Sequence, residues 1–161
     1  MVSGGFPCQA FSTAARGRNK PEKDLWLEMR RVYREVEPMV VFAENVSEKA
    51  IQKAGQDLRD DGYNTKHIQL SAKDMGADHN RRRHWLLAYT DHYGELLRQQ
   101  YAETQGVQEL QSRVWESYTG EPRMVDGFSN RMDRIRATGN GQVPVVAASA
   151  FIRLNREIID D

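Results

Sequence analysis

Five consecutive apolar residues, Met39-Val40-Val41-Phe42-Ala43, set between Pro38 and the polar pair Glu44-Asn45, constrain this chain more than any other stretch. A strand with one wet face alternates; a short continuous apolar run reads as a strand buried on both faces. Trp85 to Tyr89 is a second run of this kind, and Thr65 to Ala72 alternates imperfectly around Ile68 and Leu70. Between those two lies a loop from Lys73 to Arg83 that contains Gly76. The flanks supply helices. From Asp24 to Glu37 apolar residues fall at Leu25, Leu27, Met29, Val32, Tyr33 and Val36, with Asp24 as cap and Pro38 beyond the end. Ser47 to Asp60 reads as a second helix with Ile51, Ala54 and Leu58 inward, closed by Gly62. Val145 to Ile159 reads as a last one, with Pro144 in its first turn. The expectation is an α/β fold with a parallel sheet. Such sheets place ligands at the C-terminal ends of their strands, which is where Glu44 and Asn45 stand.

The second constraint is Gly4-Gly5-Phe6-Pro7-Cys8-Gln9-Ala10-Phe11-Ser12, which holds the single cysteine. Two glycines allow a sharp turn at a strand end, and a proline fixes φ just before the thiol. Arg16, Arg18 and Lys20 follow, and positive charge depresses a thiol pKa. A lone cysteine is more often a small buried apolar residue, so this run alone leaves both readings open. One cysteine excludes an internal disulfide and fits a reducing, cytoplasmic or nucleoid-associated setting. No apolar run is long enough to span a membrane. No metal site is expected. The 161 residues carry 23 basic and 23 acidic groups, so the total charge does not mark a nucleic-acid binder. The basic residues nevertheless cluster at 16–23, 81–84 and 123–136. On an extended segment Arg81 and Arg83 point to one side, which suits two guanidinium groups converging on a base oxygen and a nearby phosphate.

The cysteine run resembles the nucleophile motif of the C5-cytosine DNA methyltransferases. Three further segments recur in that family's order: Phe42-Ala43-Glu44-Asn45-Val46, His79-Asn80-Arg81-Arg82-Arg83 and Gly139-Asn140-Gly141-Gln142-Val143-Pro144. Four motifs in order make a specific signal. The family usually has glutamine at the position of His79 and often an acidic residue at Arg82; both matching arginines are present. A run like Asp126 to Arg136 precedes the last motif in short phage-type members.

The resemblance implies a partial Rossmann-like S-adenosylmethionine-dependent sheet and transfer of a methyl group to C5 of a flipped cytosine in double-stranded DNA, as in restriction-modification systems. It implies Cys8 as nucleophile, Glu44 at the Watson-Crick edge of the base, and Arg81 and Arg83 at its O2 and the neighbouring backbone. Pro7 and Asn140 fall at the S-adenosylmethionine site, and Gln9, Ser12, Arg16, Arg18 and Asn45 at the DNA. The implied domain division is a catalytic part at 1–90, a short target-recognition-like segment at 91–122 that includes Arg113, Trp115 and Tyr118, and a C-terminal part at 123–161. The family's cofactor-binding half, with its N-terminal strands, precedes the cysteine and has no counterpart here. The expectation is therefore a gene fragment, one subunit of a split enzyme that needs an N-terminal half-polypeptide, or a chain begun at an internal methionine. The alternative function is a catalytically inactive fragment or DNA-interaction module of the same fold.

Overall fold

The computed structural model describes residues 1–6, 25–77, 80–104 and 143–161. The readings made above for Pro7, Cys8, Gln9, Ser12, Arg16, Arg18, Asp24, His79, Arg113, Trp115, Tyr118 and Asn140 lie outside the described residues.

The apolar run becomes strand β2, Val40–Asn45, and each of its residues is buried. Beside it lies β1, Val2–Gly5, in parallel register with Gly5 opposite Glu44. On its other side runs β4, Arg82–Tyr89, and beyond that β3, Asn64–Ser71, giving the order β1-β2-β4-β3. The parallel sheet expected from the sequence is realised only at β1–β2, because β4 is antiparallel to both β2 and β3. The physical reason is connection length. A parallel return needs a crossover of a dozen or more residues, whereas β3 and β4 are joined across 72–81, which includes only the 3-10 turn Lys73–Met75.

Helices cover both faces. Helices α1, Trp26–Val36, and α2, Glu48–Asp60, pack on the face that carries Val41, Ala43, Leu86 and Ala88. Helix α3, Asp91–Thr104, follows β4, and α4, Pro144–Ile159, covers the opposite face with Val146, Ala150, Leu154 and Ile158. The four-residue spacing of that set is one stripe of a helix. α3 and α4 are tied by the Tyr93 hydroxyl, which donates to Asn155 Oδ1 at 2.8 Å. Pro144 stands in the first turn of α4, where its missing N–H has no cost. Ser47 caps α2, accepting from the Ala50 N–H through its side chain, and Gly62 takes φ 89° just past its end.

Helix α1 departs from the expected apolar face. Leu25, Leu27, Val32 and Val36 are exposed, and the buried residues are Trp26 and Tyr33. Because α1 lies over the edge strand, it meets little sheet, and two aromatic rings one heptad apart with Met29 between them fill that contact. Among the described residues no helix is long and apolar enough to cross a membrane.

Candidate active site

Alternation along β2 and β4 sorts the residues at the C-terminal end of β2 onto two faces. Glu44 is paired with Trp85, and Asn45 with His84. Val40, Phe42, Trp85 and Leu87 belong to the core under α4, so Glu44 and Arg83 emerge on that face as well. Asn45 and His84 belong to the face under α1 and α2.

Glu44 is 8% exposed, and its carboxylate meets Arg83, whose Nε donates to Oε1 at 2.8 Å. A buried carboxylate of this kind is tolerable because a guanidinium compensates it in place. Arg81 completes the cluster. Burial and the nearby Arg83 charge weaken its hold on its proton, and Glu44 opposes them. The backbone holds Arg81 in place: the Ala72 N–H donates to its carbonyl at 3.3 Å. The Lys73–Met75 turn is closed by reciprocal bonds, from the Ser71 N–H to Asp74 Oδ2 and from the Asp74 N–H to Ser71 Oγ. Hydrogen bonding to Ser71, its backbone N–H first and then its side chain, holds the Asp74 carboxyl below its ordinary range. The sequence expectation that Arg81 and Arg83 act on one side therefore meets a structure in which both lie in the field of one carboxylate.

Behind this pair stands an aromatic floor. The rings of Phe42 and Trp85 lie 5.3 Å apart with planes within 16°, and Phe151 of α4 meets Phe42 edge-on. Among the described residues the Trp85 indole N–H has no hydrogen-bond partner. Gly5, opposite Glu44, puts no side chain between the carboxylate and the edge of the sheet.

On the other face Asn45 is 2% exposed and its amide is fully engaged. Nδ2 donates to the carbonyl of Phe6 at 2.7 Å, and Oδ1 accepts the N–H of Ser47 at 2.9 Å. One side chain thus locks the exit of β1 to the start of α2. Cys8 is two residues beyond that anchored carbonyl in sequence. Beside Asn45, His84 meets His67 of β3, with His67 Nε2 and His84 Nδ1 3.4 Å apart. Ring centroids 5.6 Å apart and planes within 13° mean that the imidazoles meet edge to edge through those nitrogens, nearly in one plane. Sequence reasoning missed Trp85 and His84 as neighbours of the site. Strand alternation counted from Arg83 was the signal that could have found them.

The arrangement defines a class: an α/β protein with a compensated, buried carboxylate at the end of a central strand, level with an anchored strand exit that stands two residues before a cysteine in sequence. The family model for C-5 cytosine-specific DNA methylase matches residues 1–146, and the chain belongs to that family. A Type II methyltransferase of Neisseria lactamica is 27% identical over 152 residues, covering 88% of this chain and 49% of that protein. One from Haemophilus parahaemolyticus is 32% identical over 102 residues, covering 55% of this chain and 30% of its own. The chain thus spans about half or less of the length of these relatives. Among solved structures, Schizosaccharomyces pombe Dnmt2 is 20% identical with a TM-score of 0.43, covering 84% of this chain and 38% of that one. The Entamoeba histolytica methyltransferase EhMeth is 22% identical with a TM-score of 0.43, covering 54% and 31%.

Proposed function

We propose that this chain is the catalytic part of a DNA (cytosine-5-)-methyltransferase of a restriction-modification type, acting in the cytoplasm on double-stranded DNA. The observation that carries the reading is the Glu44–Arg83 pair, buried and level with the β1 exit that Asn45 anchors. A stacked base is out of reach, so the cytosine is flipped out at a cost of a few kcal/mol. The Cys8 thiolate adds to C6 of the ring, and Glu44 holds the N3 edge, favouring the charge distribution that makes C5 nucleophilic. Arg83 fixes the carboxylate's orientation, and with Arg81 it steadies O2 and the adjoining backbone. After methylation a base takes the C5 proton and the thiolate leaves, restoring the enzyme. Gln9, Ser12, Arg16 and Arg18 make the DNA-facing segment, and Asn45 serves it by holding its root. The divisions at 1–90, 91–122 and 123–161 follow this reading as catalytic, target-recognition-like and C-terminal parts.

S-adenosylmethionine supplies the methyl group, with Pro7 and Asn140 at its site by resemblance. The described residues at the open end of the sheet do not make up that site: 1–6 contain no carboxylate to take a ribose.

The test is transfer of labelled methyl from S-adenosylmethionine to mixed-sequence DNA, by the chain alone and with a cofactor-binding half, with Cys8→Ala as control. Transfer is expected only with the added half, and none with Cys8→Ala. Residual transfer by Cys8→Ala would remove the nucleophile assignment. Silence in every mixture, with folded protein, would leave the DNA-interaction module.

A further inference from the structure

His67 and His84 stand 17 residues apart in the chain, outside the short spacings that mark metal sites in a sequence. Only the register of β3 on β4 brings them together. Gln69 lies opposite His84 and His67 opposite Leu86, so the two histidines are diagonal neighbours on the face under α2. His84 is buried, whereas His67 is exposed on β3, a strand paired on one side only among the described residues. One imidazole is held by the core and the other can adjust to what it meets.

The separation of the two rings decides what they can hold. His67 Nε2 and His84 Nδ1 are 3.4 Å apart. A hydrogen bond from an N–H normally spans about 2.7–3.2 Å, so this contact is long for one. Two nitrogens that share one tetrahedral cation at about 2.0–2.1 Å stand about 3.3–3.4 Å apart. The rings lie within 13° of one plane. A tilt of roughly 35° per ring from the line joining the nitrogens therefore brings both lone pairs onto one ion. Imidazole is a ligand suited to nickel, copper and zinc. Of the charges that act on His84, Glu48 at the start of α2 favours a cation and Arg82 opposes one. Among the described residues no third His, Cys, Asp or Glu joins the pair. Water fills the other positions, reached from the exposed side of His67, so the site is open rather than the closed four-ligand kind.

We infer that His67 and His84 form a binding site for a first-row divalent cation of the nickel, copper and zinc group, which staples the edge strand β3 to β4. His84 follows Arg83 in sequence, so the staple braces the strand that carries the guanidinium partner of Glu44. The site uses neither Cys8 nor Glu44, and it stands whether or not the chain transfers a methyl group.

The probes are nickel, copper(II) and zinc chlorides, each titrated by calorimetry into the full Cys8→Ala chain, which removes the one thiolate that would compete. One equivalent is expected, tightest for copper, with a rise in the urea midpoint that grows with metal concentration. Hydrogen exchange at Asn64–Ser71 should slow on binding. His67→Gln, at an exposed position, should weaken binding about tenfold or more and remove both effects. His84→Gln should do the same, and circular dichroism checks its fold. His92→Gln, exposed at the start of α3, should change nothing. Full binding by His67→Gln, or equal weakening by His92→Gln, would mean an adventitious ion only and overturn the proposal. No binding at all, or binding that leaves the urea midpoint and the β3 exchange unmoved, would overturn it too.

Discussion

Asn45 and Glu44 are adjacent in sequence and do opposite things, because a strand sends neighbours to opposite faces. Glu44 is turned to the cluster of guanidinium groups, whereas Asn45 is turned inward and makes two bonds of its own. Glu44→Gln keeps the size and removes the charge, so methyl transfer should fall at least tenfold more than DNA affinity; equal losses in the two assays would make Glu44 structural. Asn45→Ala should cost about 1–3 kcal/mol in urea unfolding, since the Phe6 carbonyl and Ser47 N–H lose a buried partner together. His84 gives a pH dependence. Burial first, then His67 and Arg82, hold its imidazole below the ordinary value of 6.5, with Glu48 opposing. The fold therefore favours neutral His84, and the unfolded chain takes up the proton first as pH falls. Its contribution is complete above about pH 6.5 and declines below it. Urea midpoints of the parent should drop from pH 7 to 5 more than those of His84→Phe. That Glu44 sits at a functional strand end was legible from one apolar run followed by two polar residues. The inward turn of Asn45 was not, because it depends on β1, of which little besides two glycines announces a strand.

At the scale of elements, α2 and α4 were readable to within a residue or two because their signals are local: Ser47 before a helical stripe, Gly62 after it, Pro144 at a helix start. β4 begins earlier than the apolar run suggested, at Arg82, because its pairing with β3 extends that far, to Ser71. Helix α1 was located correctly, but its buried face was not. Periodicity counts apolar residues and cannot say which flank a neighbour will cover, and here the apolar flank overhangs the sheet edge. What fixes α1 instead is polar. Trp26 Nε1 donates to Asp57 Oδ2 at 2.7 Å, and Asp61, at the end of α2, accepts from Arg30, Arg34 and the Tyr33 hydroxyl. Those donors, Arg34 foremost, hold the Asp61 carboxyl well below its ordinary 3.8. The fold thus favours the ionised form, and its contribution is present above about pH 4 and lost as pH falls further. Asp61→Ala leaves three donors without their common acceptor and should destabilise the chain by about 2–3 kcal/mol at pH 7. The deficit should shrink as pH falls below about 4, where the unfolded parent takes up the proton that the fold resists; a deficit independent of pH would mean that Asp61 acts by packing alone.

For the molecule as a whole, the sheet is held between unequal layers. On one face α1 and α2 divide the work between β1 and the other strands. On the other, α4 contributes Val146, Ala150, Leu154 and Ile158 to the core that contains Phe42 and Trp85, the floor of the Glu44–Arg83 pair. Helix α4 is also pinned near its C-terminus, where Lys66 of β3 pairs with Asp161, and along its length by Tyr93. Its N-terminal residues Val143 and Val145 pack against the same core, so one helix links global stability to the region beside the site. Leu154 has no exposed surface and lies within that stripe. Leu154→Ala removes its buried methyl groups and leaves a cavity that a helix braced at several points closes poorly, a cost of about 3 kcal/mol. Because Leu154 sits two turns beyond Val146, the loss should fall on the sheet as a unit. In native-state hydrogen exchange, β2 and β4, buried and paired on both sides, should stay the slowest elements in parent and variant. Their protection should fall by the same amount as the urea stability. β1, paired on one side only among the described residues, should exchange faster in both and change least. Protection lost from α4 alone, with β2 and β4 unchanged, would mean that the helix detaches locally and that the floor of the site stands without it.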